Sequence, residues 1–467
     1  SKLHHMHVDS HADERELTAE RIDSDGKFRK DVESALSDLA GRKGDAVRHL
    51  LVMKVSLSRY HRFFRLLLAG EIAAIVSSWI FLPPASAIII SVMLAVANAA
   101  VHFWNTTYVA GYLRPLVQLE KLRKASVKLS ALTPEGTFGD VKRQTDEMSA
   151  LSRKISIFGM GRVMESDLMM VFNSLIELGK MIFLVEPLYT YAILKDIEDI
   201  SGSARRLIGY IGEWDTAYST ASLRRWMDSE RMTWSRPIFD RNRLDLHIED
   251  MSHPLIDGCV ANSISIDKSV IITGSNMSGK SSFLKTIGIN IATSYALGTC
   301  FATTMEMPYC RLQTVLSVSD DIGEGRSYYY SEALRIKSII DRCRTKDNGL
   351  MDIVLIDEIF KGTNTIERIS IADAVIRYLS ALDGTYVLVS THDIELARSF
   401  RETLDTYHFS ESMHDGKLVF NYRLTPGVEY TRNAISILKN CGYPDEIIRN
   451  AESNTLKVSA NMDSISL

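Results

Sequence analysis

The residues with the clearest chemistry are Gly274-Ser275-Asn276-Met277-Ser278-Gly279-Lys280-Ser281, whose types and spacing are those of a phosphate-binding loop. The glycines let the backbone aim its N–H groups at an anion. A lysine at this position reaches the β- and γ-phosphates of a nucleotide, and the serine after it can ligate Mg²⁺. Gly274, Asn276, Gly279, Lys280, Ser281 and Ser282 are thus candidate nucleotide contacts. Hydrolysis also needs a carboxylate for the metal and a base for water, and Asp357-Glu358 supplies both. Ser281 and Asp357 are the metal candidates, and Glu358 would polarise the attacking water. His392 could donate a hydrogen bond to the γ-phosphate and sense its loss, so Lys280, Glu358 and His392 are the catalytic candidates. Two acids after a strand are common, and a lone histidine there is usually a polar loop residue. Downstream of a phosphate loop, each gains a specific role.

These residues need a sheet to hold them. The stretch 269–273 is short, apolar and β-branched, and 282–292 reads as a helix, so the loop joins a strand to a helix N-terminus. Residues 353–356 form an uninterrupted apolar run, as expected of a strand buried on both faces of a parallel sheet. Asp357 falls at its C-terminal end, where such sheets bind ligands. A third strand, 385–390, runs into Thr391-His392-Asp393. The fold expected for this part is an α/β P-loop NTPase.

In order and spacing, Thr273 to Ser282, Asp320-Asp-Ile-Gly-Glu-Gly-Arg-Ser327, Asp357-Glu-Ile-Phe-Lys-Gly-Thr-Asn-Thr365 and Ser390-Thr-His-Asp393 resemble the MutS ATPase, a relative of the ABC ATPases. His253-Pro254 and the tail segments 433–438 and 442–451 extend the likeness over about 250–455, and 205–221 is similar to the family's core helices. The resemblance implies ATP and Mg²⁺ as ligands and a homodimer with composite sites. In each site the phosphate loop of one subunit meets the signature segment of the other, with Ser327 as signature serine and Arg326 beside it. It also implies DNA as a partner. The chain departs from the family in two places. The aromatic that stacks on adenine falls near Cys259. A Phe-x-Glu at Phe400-Arg-Glu402 lies inside the ATPase rather than in an N-terminal mismatch reader, so mismatch specificity is not expected.

A second feature is apolar. Between residues 72 and 104 there is no formally charged side chain, with His102 taken as neutral, and the run breaks at Pro83-Pro84. Each half has about 20 residues, enough for ~30 Å of helix. The reading is a transmembrane helical hairpin over 63–106 in contact with lipid. Basic residues such as Arg59 and Arg62 before it, and Arg114 and Lys121 after it, place both ends and the ATPase on the cytoplasmic side. A buried hairpin of a soluble core is the alternative, but such helices normally keep a polar face, and 85–101 is apolar nearly all round.

The chain has 467 residues, 46% of them hydrophobic, so it can bury a large core, and a net charge of −4 carries no overall signature of nucleic-acid binding. The five cysteines show no metal or redox spacing and read as reduced, buried thiols. His4, His5 and His7 read as an exposed terminus rather than a metal site. The expected organisation is a polar, basic segment at 1–60, amphipathic or partly disordered, and a hairpin at 61–110. A helical core follows at 111–240, then the ATPase at 241–425, with a small β-hairpin around Asp415-Gly416, and a helical segment at 426–467. Three functions fit: a membrane-anchored, mismatch-repair-related ATPase clamp on DNA, a membrane-bound ABC-type mechanoenzyme with no DNA role, and a soluble mismatch-repair homologue whose apolar hairpin is core.

Overall fold

The computed structural model describes residues 11–39, 58–133, 137–159, 185–275, 277–316, 328–345, 350–360, 363–414, 417–428 and 442–465, with 179, 435, 438 and 439. Contacts divide the chain into one unit of Ser10–Ser222 and another containing Leu223–Leu467.

In the first unit every described element is a helix. Residues 12–37, expected as an amphipathic or disordered lead, form α1 (Ala12–Ser24) and α2 (Gly26–Ser37). Asp25 separates them and caps α2, its carboxylate accepting from the Lys27 and Phe28 amides at 2.9 and 3.0 Å. Their apolar faces enter a core: Ile22, Phe28 and Val32 are buried with Leu119 and Leu129 of α4 (Pro84–Ser130) and with Leu207 and Trp214 of α6 (Val185–Ser229). The Phe28 and Phe138 rings lie 6.2 and 5.5 Å from Trp214. Between them in sequence come α3 (Ser58–Phe81) and, after α4, α5 (Lys142–Gly159).

The proline pair does what its backbone dictates. Pro83 is the N-cap of α4 and Pro84 its first residue, where a missing N–H costs nothing, so α3 and α4 meet at a tight turn. They are also joined deeper by a polar contact, in which Asn98 Nδ2 donates to Glu71 Oε2 at 2.9 Å, both residues being buried. Outward the pair presents Trp79, Ile80, Phe81, Ile89, Met93 and Val96, all exposed. Past this apolar stretch α4 continues without a break into the helical core.

The second unit is α/β. Its main sheet has six strands in the order β10 (Lys417–Pro426), β9 (Asp405–His414), β4 (Val270–Thr273), β8 (Thr385–Ser390), β7 (Met351–Asp357) and β6 (Cys310–Val315). The neighbours from β9 to β6 pair in parallel, and β10 pairs antiparallel to β9. The hairpin expected around Asp415-Gly416 is therefore not separate, because β9 continues the main sheet beside β4. Residues 353–356 have no exposed surface, each large side chain contributing ~1.5–3 kcal/mol by burial.

On one face α7 (Lys280–Leu297) buries Phe283, Leu284, Ile287 and Ile291 against the sheet. Against the other face lie α8 (Tyr328–Arg344), α9 (Thr365–Ser380) and α10 (Ile394–Ser399). A smaller sheet runs β1 (Ile238–Phe239), β5 (Thr304–Met307), β2 (Leu246–Met251) and β3 (Asn262–Ile266). The chain closes with α11 (Asp445–Ile465). Within this unit Arg224 bonds Thr299 Oγ1 at 3.0 Å and the Gly298 carbonyl at 2.9 Å, which holds the C-terminus of α7.

Candidate functional site

Three strand ends are set level by the ladder. Ser390 on β8 pairs with Ile272 on β4 and with Asp357 on β7. The next residues are tied across: the Thr391 amide donates to the Ile272 carbonyl at 2.9 Å and the Glu358 amide to the Ser390 carbonyl at 3.0 Å. The glycine loop, the acid pair and His392 thus leave the sheet at one edge.

The loop after β4 demands its glycines. Gly274 has φ 141°, and a Cβ there would meet Ser278 Oγ at 2.7 Å and the Phe409 carbonyl oxygen at 2.8 Å. Gly279 caps α7 at φ 106°, where only glycine sits without strain. Lys280 is buried and curls back, its Nζ donating to the carbonyls of Gly274 and Ser275 at 2.7 Å each. Ser275 is held by the Glu411 carboxylate from β9, and the Ser278 hydroxyl donates to the Ser275 carbonyl at 2.8 Å.

The acid turn is strained. Glu358 and Phe360, neither of them glycine, have φ of 54° and 58°, a conformation that costs on the order of 1–3 kcal/mol each and persists only where the surroundings enforce it. Here they do: the Phe360 amide donates to Glu332 Oε1 on α8 at 2.7 Å, and Glu332 is 1% exposed. Asp357 accepts from the Ser390 hydroxyl. Glu358 is buried, with its Oε1 3.4 Å from His392 Nδ1. Asp393 is held by Arg368 through contacts of 2.7 and 3.2 Å, which steadies the chain after His392.

Beside the loop opens a cavity of about 510 Å³, lined among others by His253, Cys259, Lys280, Ser281, Ser282 and Tyr422. Asp357, Glu358 and His392 stand at the strand ends and are not part of its lining. Tyr422 was not foreseen. The pairing of β9 and β10 slips between Phe420 and Leu424, and Asn262 grips the bulge, donating to the Tyr422 carbonyl at 2.9 Å and accepting from the Leu424 amide at 2.7 Å. Tyr422, at φ 53°, lies against the loop so closely that a Cβ on Gly279 would come 3.3 Å from its ring. An aromatic ring thus borders the same cavity as Cys259. No local sequence signal marks it, since the bulge arises from pairing. His253 keeps its Nδ1 as acceptor for the Leu255 amide at 3.2 Å, and burial, followed by the nearby Lys285 charge, pushes its pKa down.

Of the other candidates, Asn276 and Ser327, with Arg326, lie outside the described residues. Cys300, Cys310 and Cys343 are the buried free thiols expected, and burial pushes Cys310 and Cys343 up to about 12, whereas Cys259 is free but only half-buried. Phe400 is buried under the Arg377 guanidinium, 4.5 Å from its ring centre. Among the described residues no group of three or more His, Cys, Asp or Glu gathers as a metal cluster. The oxygen donors Ser281 and Asp357 fit a hard cation that takes few protein ligands and completes its shell from phosphate and water.

The parallel sheet, the glycine loop at a helix N-terminus and the strand-end acids define an α/β ATPase-type domain. Residues 270–459 match the family model described as MutS domain V. The chain is 29% identical to the DNA mismatch repair protein MutS of Petrotoga mobilis over 284 residues, covering 58% of this chain and 33% of that protein. With the MutS of Aquifex pyrophilus it shares 26% identity over 270 residues, covering 56% and 30%. With that of Macrococcus caseolyticus it shares 31% over 227 residues, covering 46% and 26%. Residues 270–459 belong to the MutS domain V family, and the chain spans about a third of the length of these curated relatives.

Proposed function

We propose that the chain is a mismatch-repair-related MutS-like ATPase, held at a membrane, that binds and hydrolyses ATP with Mg²⁺ in a composite site of a homodimer and so drives a DNA-binding clamp. The observation that carries this reading is the cavity beside the glycine loop, with buried Lys280 in its wall, next to three strand ends that present Asp357, Glu358 and His392 at one edge.

Each residue then has a physical task. Lys280 exchanges two neutral carbonyl acceptors for anionic phosphate oxygens, which are stronger partners. The amides at the start of α7 meet the phosphates end-on. Glu358 accepts a proton from the attacking water, whose oxygen bonds the γ-phosphorus directly as the bond to the β,γ-bridging oxygen breaks, so that ADP leaves and phosphate is formed with no covalent intermediate. His392 donates to the γ-phosphate. Ser281 and Asp357 would hold Mg²⁺, which when bound neutralises charge on the phosphate oxygens. Tyr422 offers a ring for the base on the cavity wall. ATP closes the dimer, Ser327 of one copy serving the loop of the other, and hydrolysis opens it.

DNA as partner is drawn from the names of the relatives. The membrane is drawn from α3 and α4, whose spans Phe63–Phe81 and Pro84–Phe103 are each long and apolar enough to cross a bilayer and only 11% buried within the chain. A soluble core helix would be mostly covered.

The test is the ATPase rate of the intact chain in detergent, alone and with single-stranded, duplex or branched DNA. Stimulation by one of them supports the clamp. Turnover indifferent to all three removes DNA and leaves an ATP-driven membrane machine, while no ATP turnover at all defeats the whole reading.

A further inference from the structure

The acid turn carries a contact that the catalytic reading does not use. Glu332 lies in the second turn of α8, is 1% exposed, and accepts the Phe360 amide at 2.7 Å from 28 residues away in sequence. Phe360 is itself buried, and its ring lies 5.7 Å from that of Tyr329 on the same helix. The turn so held contains two left-handed non-glycine residues, Glu358 and Phe360, directly after β7. A carboxylate accepting a backbone N–H is a strong, directional bond, and in a buried setting there is no water to replace it.

We propose that Glu332 is a positioning residue for ATP hydrolysis: by holding the Phe360 amide it keeps the Glu358–Phe360 turn in its strained form and so aims the Glu358 carboxylate. This rests on the assignment of Glu358 as the base. The geometry gives the bond a direction of influence. Glu358 is anchored upstream by its amide on the Ser390 carbonyl at 3.0 Å, and Glu332 supplies the downstream anchor. Without the second anchor the turn can relax toward ordinary backbone angles, which swings the base away from the strand edge while the glycine loop keeps its own supports. Binding and hydrolysis therefore separate.

The test compares wild type, Glu332→Ala and Glu332→Gln in the intact chain. The alanine variant should lower kcat about 10- to 100-fold, the range for a misplaced catalytic group, with KM for ATP and affinity for a fluorescent ADP analogue unchanged. The glutamine variant, whose amide oxygen still accepts from Phe360, should keep most of the activity. Hydrogen–deuterium exchange supplies a readout independent of turnover: the peptide containing Phe360 should exchange faster in the alanine variant and near the wild-type rate in the glutamine variant. In a Glu358→Gln background Glu332→Ala should add little further loss. An active wild type with an equally active alanine variant overturns the inference and leaves the ATPase reading standing, as does unchanged exchange at Phe360. An alanine variant that loses affinity in step with kcat marks Glu332 as a general fold residue. An inactive wild type removes the ATPase reading itself and this inference with it.

Discussion

His392 Nδ1 stands 3.4 Å from Glu358 Oε1, so the ends of β8 and β7 bring an imidazole and a buried carboxylate together although their residues are distant in sequence. The register of Asp357 on Ser390 sets up this meeting, because Glu358 follows directly on one paired strand end and His392 comes two residues past the other. His392 remains half exposed and can reach outward.

Glu358→Gln should bind ATP and turn it over at least about 10²-fold more slowly, since the amide keeps the shape and loses the proton acceptor. Lys280→Ala should act earlier and weaken nucleotide binding by roughly 10- to 100-fold, the worth of a hydrogen bond to a charged group. Equilibrium binding and single-turnover hydrolysis separate the two. Ordinary turnover in Glu358→Gln rejects it as the base.

If Ser327 acts across a dimer, Ser327→Arg and Lys280→Ala chains should each be inactive alone and recover one working site per heterodimer when mixed. Mixed-subunit ATPase assays, with heterodimer formation checked by differential tagging, report this. An inactive mixture of proven heterodimers argues against a site shared in trans.

Tyr422→Ala should weaken nucleotide binding about 2- to 10-fold, as loss of one aromatic contact does, and Tyr422→Phe should bind as wild type. Titration with ATP and with inorganic triphosphate discriminates: only the nucleotide should respond. Equal losses for both ligands would mean that the tyrosine supports the loop rather than the base.

The folded state holds His253 below the ordinary histidine value, chiefly by burial, so on acidification the unfolded chain takes up this proton before the folded one. Its contribution is intact above the ordinary histidine pKa of about 6.5 and is lost as pH falls through the lower folded value. Thermal unfolding at stepped pH should show the wild-type margin over His253→Gln shrinking as pH falls below neutrality. A margin constant between pH 8 and 5 contradicts this.

The chain should sediment with membranes, resist carbonate extraction and become soluble on deletion of residues 63–106. Asn98→Ala should lower stability in detergent by about 1–2 kcal/mol, because the buried Glu71 loses that donor. An intact chain that stays monodisperse without detergent places the hairpin in a protein interface instead.

The sequence by itself determined what is local. The strand-glycine-helix order around Lys280, the apolar run ending in Asp357-Glu358, and the uncharged stretch broken at Pro83-Pro84 each depend on neighbours within a few residues, and they fold as a strand running into a helix, a buried strand, and two helices parted at the prolines. Tertiary structure alone decided what depends on pairing and packing at a distance. It placed β9 beside β4, bulged β10 so that Tyr422 reaches the cavity, and set Glu332 under the Phe360 amide. It also chose the amphipathic over the disordered form for residues 12–37, whose apolar face enters a core, and joined Asn98 to Glu71. The physical reason is that a helix or a glycine turn follows from short-range sterics and periodicity, whereas a register shift or a buried carboxylate's partner is chosen only when separate elements compete to satisfy each other's hydrogen bonds and surfaces.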